Sequence, residues 1–214
     1  MVQLRSYVFL DSLQPQLASF VASAAKGFMP IAGMASLYVE VAPGMEIIRA
    51  LDVALKATAC RPAVQVVERA YGVLEVHSED KGQVLNAGRA ILDALGLSEG
   101  DRLKPKVVAT QIIRRISPYQ AQLINKGRDG SMLLGEQTLY IMETDPAAYV
   151  TIAANEAEKS SHVTLIEIRP IGRFGRLYLG GEERDIMVGS EAALKAIQGI
   201  TGKEASGKGG SSGD

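Results

Sequence analysis

The sequence repeats itself at a constant offset, and this repeat constrains the fold more than any other feature. Among the residues that recur unchanged 103 positions later are seven spread along the unit: Pro15 and Pro118, Gly27 and Gly130, Glu40 and Glu143, Pro43 and Pro146, Lys56 and Lys159, Gly72 and Gly175, and Leu74 and Leu177. Isolated glycine or proline matches arise easily by chance, but seven at one offset do not. A unit of about a hundred residues present twice predicts two similar domains, because a solenoid needs shorter and more numerous repeats.

The repeat divides the chain into two domains and a tail. The first domain covers residues 1–100 and the second residues 104–200, which we call copy 1 and copy 2. The polar connector between them, at residues 98–105, is too short for domains that swing freely, so we expect the copies to pack side by side. Residues 201–214 are rich in Gly, Ser and Lys, which predicts a disordered tail.

Composition narrows the class of protein. The chain has 214 residues, 47% of them hydrophobic, and a net charge of −1, so each copy has enough apolar residues for a core. It has no basic cluster typical of a nucleic-acid partner and no long apolar segment typical of a membrane partner. Its single cysteine, Cys60, cannot form an internal disulfide. We therefore expect a cytoplasmic protein.

The hydrophobic pattern predicts an α+β fold in each copy. The helix at residues 45–58 carries an apolar stripe of Ile47, Leu51, Ala54 and Leu55 at helical spacing. In copy 1 we predict strands at residues 4–10, 36–41, 64–67 and 73–76, and helices at 16–25, 45–58 and 81–95. In copy 2 we predict strands at 107–113, 138–142, 163–168 and 176–179, and helices at 147–160 and 183–197.

Several segments resemble a known family. They are residues 52–56 (DVALK), 66–74 (VVERAYGVL), 123–125 (LIN), 155–159 (NEAEK) and 172–180 (GRFGRLYLG). The chain resembles the tandem-domain, circularly permuted shell proteins of bacterial microcompartments, over about residues 2 to 200. The resemblance implies two ferredoxin-like shell domains, each a mainly antiparallel sheet with helices packed on it. It also implies a homotrimer with approximate six-fold symmetry, which occupies a place in the shell among hexameric and pentameric shell proteins.

The resemblance also implies a gated central pore through which small metabolites pass. In this family the turn between the two central strands of each domain approaches the axis, here residues 68–72 in copy 1 and 171–175 in copy 2. Some members stack two trimers face to face. The expected pore residues are Glu68, Arg69, Ala70, Tyr71 and Gly72 from copy 1, and Gly172, Arg173 and Phe174 from copy 2.

Glu68 and Arg69 are the expected gate, because the gated trimers carry an adjacent Glu and Arg at this position. Three guanidinium groups about 6 Å apart would repel by about 3 kcal/mol per pair at an effective dielectric near 20. Glu68 supplies a compensating carboxylate for each Arg69, so exchanging which side chain faces the axis would change pore width and charge. Without the resemblance, the same pair is an ordinary solvated turn.

Lys56 and Lys159 occupy the helix position at which shell proteins place an edge lysine that packs against its neighbour's equivalent. The alternative is an ordinary exposed helix, on which Asp52 and Lys56 form an ion pair four residues apart.

The residues give little support to an enzyme. His77 and His162 are not equivalent in the repeat, no spacing typical of metal ligands surrounds either, and no phosphate-binding loop is present. For Asp11, Glu40 and Glu143 we expect solvated or capping roles. We therefore expect no catalytic residue, metal or cofactor. Two alternatives stay open: a metabolite-binding sensor that uses the groove between the two domains, and a hydrolase or isomerase that uses carboxylates at their junction.

Overall fold

The computed structural model describes residues 2–205, and each copy contains one sheet of four antiparallel strands. Copy 1 contains β1 (Gln3–Leu10), α1 (Pro15–Ala24), β2 (Ala35–Ala42), α2 (Glu46–Ala57), β3 (Arg61–Glu68), β4 (Tyr71–Ser78) and α3 (Lys81–Leu95). Copy 2 contains β5 (Lys106–Ile113), α4 (Pro118–Asn125), β6 (Thr138–Asp145), α5 (Val150–Ser160), β7 (Thr164–Arg169), β8 (Gly175–Gly181) and α6 (Glu183–Gln198). The strand orders are β1-β2-β4-β3 and β5-β6-β8-β7. The predicted α+β class is confirmed, and α4 is a helix that the sequence pattern missed.

The residues shared by the two copies mark the same backbone contacts in each. A side chain at Gly72 would overlap the carbonyl oxygen of Gly44, and one at Gly175 would overlap that of Ala147, which lies 103 positions after Gly44. Because glycine has no side chain, the start of β4 can contact the segment that precedes α2, and the start of β8 can contact the segment that precedes α5. Pro43 and Pro146 both follow cis peptide bonds. The sequence repeat is therefore a structural repeat.

The apolar core runs through both copies and across the seam between them. Alternate residues of β4, including Leu74 and Val76, pack beneath α2 and α3 in a core that belongs to copy 1 alone. A second core joins Leu17 and Phe20 of α1 to Val163 and other residues of copy 2. Helix α1 thus packs on copy 2, against β7 and α5. The copies lie side by side, as their short connector predicts.

A capping box, an ion pair and a backbone bridge hold the connector between the two copies in place. A 3₁₀ turn at Glu99–Asp101 closes with a capping box between Ser98 and Asp101. The Lys203 ammonium lies 2.5 Å from Asp101, and hydrogen bonds from Lys203 and Ser98 hold the pKa of the Asp101 carboxyl well below its usual range. Lys203 also forms a parallel bridge with Leu103.

The predicted tail therefore begins too early. Lys203 donates its backbone N–H to Arg102 and accepts one from Lys104, at 2.8 and 2.9 Å, which orders the chain beyond residue 201. The prediction of disorder is wrong for residues 201–205, because polar composition does not exclude backbone pairing. Residues 206–214 lie outside the described residues.

Candidate functional site

The β3–β4 hairpin is tighter than the sequence predicts. The two strands pair as far as Glu68 opposite Tyr71, so the turn consists of Arg69 and Ala70 alone. Tyr71 and Gly72, expected in the turn, belong to β4. Arg69 has a positive φ of 52°, in the left-handed region that two-residue hairpins require. Glu68 and Arg69 consequently stand at the tip of a well-paired hairpin.

The tips of the two predicted pore hairpins lie next to each other. Arg173 of copy 2 donates from Nη1 to the Tyr71 hydroxyl of copy 1 at 3.3 Å. A Cβ atom added to Gly172 would lie 3.4 Å from the Glu68 carboxylate. The guanidinium of Arg173 also lies 5.3 Å from the ring of Phe174. The structure thus places residues of both predicted turns together at one end of the seam.

A cavity of about 610 Å³ opens beside these tips, between α1 and β3 of copy 1 and the β7–β8 hairpin of copy 2. Its walls mix apolar residues such as Phe20 with charged side chains of both signs. The charged lining residues are Lys26, Glu68, Asp129, Glu167, Arg169, Arg173 and Arg176.

A buried arginine behind the hairpins pairs with a carboxylate of its own copy and with one across the seam. Arg5, only 4% exposed, donates from Nε to Glu40 at 2.6 Å and from Nη2 to Asp145 of copy 2 at 2.9 Å. The other oxygen of Glu40 accepts the backbone N–H of Ala148 at 3.1 Å. Burial raises the pKa of the Glu40 carboxyl, and the Arg5 charge opposes the rise. The expectation of a solvated Glu40 is wrong, although it does cap the 3₁₀ turn Ala147–Tyr149.

The start of α1 is held by two side chains of copy 2. The Glu158 carboxylate accepts the backbone N–H groups of Gln16 and Leu17 at 2.7 and 3.0 Å. Asn155 accepts the N–H of Gln14 at 3.0 Å. These acceptors satisfy donors that a helix leaves free at its N-terminus, where a negative charge is also favourable. The seam is therefore polar as well as apolar.

The equivalent surface of copy 2 has no covering partner among residues 2–205. Phe20 of α1 is 6% exposed, whereas Leu123, its equivalent in α4, is 67% exposed. Strand β1 is almost entirely buried, whereas β5, including Val108, is largely exposed. We call β5 and α4, with Val108, Tyr119 and Leu123, the open face of copy 2.

Copy 1 has a matching open face on α2. Met45, Ile48 and Leu55 are exposed there. Their equivalents in copy 2 are Ala148 and Thr151, which are fully buried in the seam, and Glu158, which caps α1. Of the four residues in the predicted apolar stripe of this helix, Leu55 alone is exposed, and the other three are buried. We call Met45, Ile48 and Leu55 the open face of copy 1.

The two predicted edge lysines lie at equivalent, exposed places. Lys56 pairs with Asp52 at 2.7 Å near the end of α2, as expected for residues four apart. Lys159 lies 3.8 Å from Glu156 near the end of α5. Their role at a shell edge stays a prediction.

One buried polar cluster occurs in copy 1 alone. Glu75 accepts from the Ser36 hydroxyl at 2.6 Å and from the Ala63 N–H at 3.0 Å, and His77 Nδ1 lies 3.1 Å from it. The equivalent residues of copy 2 are Leu139, Tyr178 and Gly180. Ser36 and Glu75 are fully buried and His77 is 1% exposed, so the cluster offers no surface at which a substrate could reach the Ser36 hydroxyl.

Within residues 2–205, no three His, Cys, Asp or Glu side chains come together as metal ligands, and no helix is long and apolar enough to cross a membrane.

Solved structures place this fold in a class. A fused permuted hexameric shell protein from the RMM microcompartment is 42% identical, with a TM-score of 0.89, over 93% of this chain and all of the other. A double-ringed trimeric shell protein from the same microcompartment is 37% identical, with a TM-score of 0.92, over 96% of this chain and all of the other. The fold is that of tandem, permuted microcompartment shell domains.

Curated relatives define the family further. Residues 4–101 match the family model described as the CsoS1D N-terminal domain. The carboxysome shell protein CcmP of Synechococcus elongatus is 55% identical over 95% of both chains. CsoS1D of Hydrogenovibrio crunogenus, also a carboxysome shell protein, is 50% identical over 94% of this chain and 98% of its own. The chain belongs to the microcompartment shell protein family, in the group that contains these two carboxysome proteins.

Proposed function

We propose that this chain is a non-enzymatic shell tile, which forms a homotrimer around a gated pore for small metabolites. The observation that carries the proposal is the pair of open faces. Each is the repeat equivalent of a surface that is buried at the seam inside the chain. A surface shaped like a seam face and left uncovered is expected to form the same kind of seam with another chain.

The open faces are complementary to each other rather than to themselves. Within the chain, α5 of copy 2 covers α1 and β1 of copy 1. By the repeat, α2 of a second chain would cover α4 and β5 of the first. This contact is head to tail, and a head-to-tail contact that closes generates a ring. Three two-copy chains give six similar seams, in agreement with the trimeric relative.

A central pore follows from where the hairpins meet. In a ring of six similar seams, the hairpin tips at one end of each seam would surround the axis. The pore would then be lined by Glu68, Arg69 and Ala70 from copy 1 and by Gly172, Arg173 and Phe174 from copy 2. Glu68 and Arg69 form no ion pair within the described residues, which leaves both free to change orientation as a gate requires.

Stacking of two trimers is supported by a second apolar surface. Met29 and Ile31 are exposed although the inner seam is formed, and so are their equivalents, Met132 and Leu134. Ring closure would therefore present six such loops on one trimer, and a second trimer would cover them. The double-ringed relative has this kind of assembly. Replacing both Met29 and Met132 by Glu should convert hexamers into trimers.

The assembly is tested first by native mass spectrometry, with the 22.8 kDa chain as the unit. Trimers, or trimers with hexamers, support the proposal. Monomers or dimers alone across a wide concentration range would overturn it. The metabolite-sensor alternative, which the cavity between the copies favours, predicts a ligand-stabilised dimer instead.

The gate is tested by the double variant Glu68→Ala and Arg69→Ala. The trimer should persist while cryo-electron microscopy shows loss of the closed pore. The control is Arg115→Ala with Glu136→Ala, which removes an exposed ion pair of 2.8 Å in the other copy. If the gate variant still shows a closed pore, the gate lies elsewhere.

A further inference from the structure

We propose that Tyr71 is a clamp that fixes the β3–β4 hairpin to copy 2 of the same chain. The inference rests on the proposed pore for its functional meaning, because the clamped hairpin carries Glu68 and Arg69. The clamp itself is a contact within one chain. It makes Tyr71 a positioning residue for the gate.

Two arginine side chains contact Tyr71, one at its ring and one at its hydroxyl. The Arg5 guanidinium lies 3.7 Å from the centre of its ring, and Arg173 of copy 2 donates to its hydroxyl at 3.3 Å. A guanidinium over an aromatic face is attracted by the ring quadrupole, more strongly when both are shielded from water. One ring therefore joins copy 1 to copy 2 directly beside the turn.

Each of the two arginines that contact Tyr71 also pairs with Asp145 of copy 2. Arg5 is buried and is held by Glu40 and Asp145 at 2.6 and 2.9 Å. Arg173 lies 3.5 Å from the other oxygen of Asp145. Both arginines that contact Tyr71 are therefore paired with the same residue, Asp145, at the end of β6. A shift of Tyr71 would break contacts with both guanidiniums, while Asp145 would keep them in place.

The clamp has no counterpart at the seam between chains. The residues equivalent to Tyr71, Arg5 and Arg173 are Phe174, Val108 and Ala70, and Ala42 replaces Asp145. The outer seam has no hydroxyl at this point and no cation at either position that grips Tyr71. It retains Glu143, the equivalent of Glu40, but Glu143 pairs with Arg176 of its own copy at 2.7 Å.

The ring therefore has two kinds of seam that alternate around the pore. At three inner seams the hairpins of one chain are tied to each other, and at three outer seams the neighbouring hairpins are not tied. A change in pore shape is expected to move the two hairpins of one chain as a unit. Relative movement is confined to the outer seams.

Hydrogen–deuterium exchange of the full-length protein tests the clamp. Tyr71→Leu should speed amide exchange in peptides covering residues 66–73 by about tenfold, because it removes both contacts. Tyr71→Phe, which keeps the stacked ring, should have a smaller effect. Tyr178→Leu, at a partly buried tyrosine of β8 away from the hairpin tips, is the matched control and should leave these peptides unchanged. Peptides from α3 are the internal reference for global unfolding.

Two results would overturn the clamp. One is equal exchange at residues 66–73 in Tyr71→Leu and Tyr178→Leu. The other is a rise in α3 as large as the rise in the hairpin, which would mean a general loss of stability. The comparison holds in monomers and trimers alike, so failure to trimerise would count against the proposed function and leave the test of the clamp intact.

The functional consequence is tested with a nitroxide label at Ala70→Cys in a Cys60→Ala background. Pulsed electron paramagnetic resonance reports distances between the three labels of a trimer. Adding Tyr71→Leu should broaden the distribution, whereas Tyr178→Leu should leave it unchanged. Identical distributions in the two variants would show that the clamp does not position the gate.

Discussion

The same surface is buried in copy 1 and exposed in copy 2. Phe20 and Leu123 occupy equivalent positions at the seam-facing side of α1 and α4, yet one is almost fully covered and the other is largely exposed. Both are large and apolar, so their hydrophobicity does not account for the difference. The difference arises because copy 2 packs on α1, whereas no described part of the chain packs on Leu123. In the proposed trimer, a second chain would supply the cover that copy 2 lacks.

The two surfaces also differ in their chemistry. The inner seam contains the buried Arg5–Glu40 pair and the Glu158 cap on α1. The outer seam would place Val108 and Leu55 at the positions of Arg5 and Glu158. A seam formed within one chain tolerates buried charges, because its partners are never separated. A seam formed between chains relies more on apolar burial, at about 25 cal/mol per Å².

The largest effect is expected from a charge placed on each surface in turn. Leu123→Glu should abolish trimers and leave folded monomers, because a carboxylate would be buried without a partner in the outer seam. Phe20→Glu should instead unfold the chain, because that seam is part of the core. Sedimentation velocity and circular dichroism distinguish the two failures. Intact trimers in Leu123→Glu would remove α4 from the subunit interface.

The second-largest effect is expected at the buried Arg5–Glu40 pair, which the outer seam lacks. Arg5→Met leaves Glu40 buried and unpaired, which should lower the free energy of unfolding by about 3–5 kcal/mol. Val108→Met, at the equivalent position, should change it by no more than about 0.5 kcal/mol. Urea unfolding at a fixed protein concentration measures both. Similar losses in the two variants would mean that the seams are energetically alike.

A moderate effect is expected from the polar cluster found in copy 1 alone. Glu75→Gln puts an NH₂ group toward either Ser36 or Ala63, so one buried donor loses its acceptor, at a cost of about 1–3 kcal/mol. Tyr178→Phe, the equivalent site in copy 2, should cost no more than about 0.5 kcal/mol. Thermal unfolding monitored by circular dichroism compares them. A neutral Glu75→Gln would indicate that the cluster is not important for stability.

The smallest effect on folding is expected at the two lysines. Lys56→Ala removes an exposed ion pair worth about 0.3–0.5 kcal/mol, and Lys159→Ala still less. If both lysines act at the tile edge, either change should nonetheless reduce sheet formation by trimers in electron micrographs. Arg184→Ala, another exposed cation, is the control. Normal sheets from the double lysine variant would contradict the edge role.

The sequence predicted the regular elements well, because their patterns are local. All eight strands were expected close to their observed positions, and α3 was predicted with the observed bounds. The errors occur where contacts between residues distant in the sequence determine the structure. Glu40 looks like a surface carboxylate until Arg5 and copy 2 surround it, and residues 201–205 look disordered until they pair with the connector. Helix α4 was missed because most of its apolar residues face outward, which weakens the amphipathic signal.

The candidate site was predicted only in part for the same reason. Adjacent Glu68 and Arg69 can be recognised from the sequence, because they are neighbours along the chain. The grip of Arg5 and Arg173 on Tyr71 joins positions 5, 71 and 173, and no local pattern connects them. The repeat offered one usable signal, since Arg5 and Tyr71 differ from Val108 and Phe174 while the surrounding landmarks agree.

The glycine at the base of each hairpin tolerates no substitution, whereas the turn beyond it can accept other residues. Gly72 and Gly175 fix where each hairpin leaves the domain, because any larger residue would collide with the backbone of Gly44 or Ala147. The turn residues beyond them make no such contact. In the proposed trimer, a new pore lining could therefore be introduced at Arg69 and Ala70 without redesigning the rest of the domain, which would make this turn a natural place to engineer shells that admit different molecules.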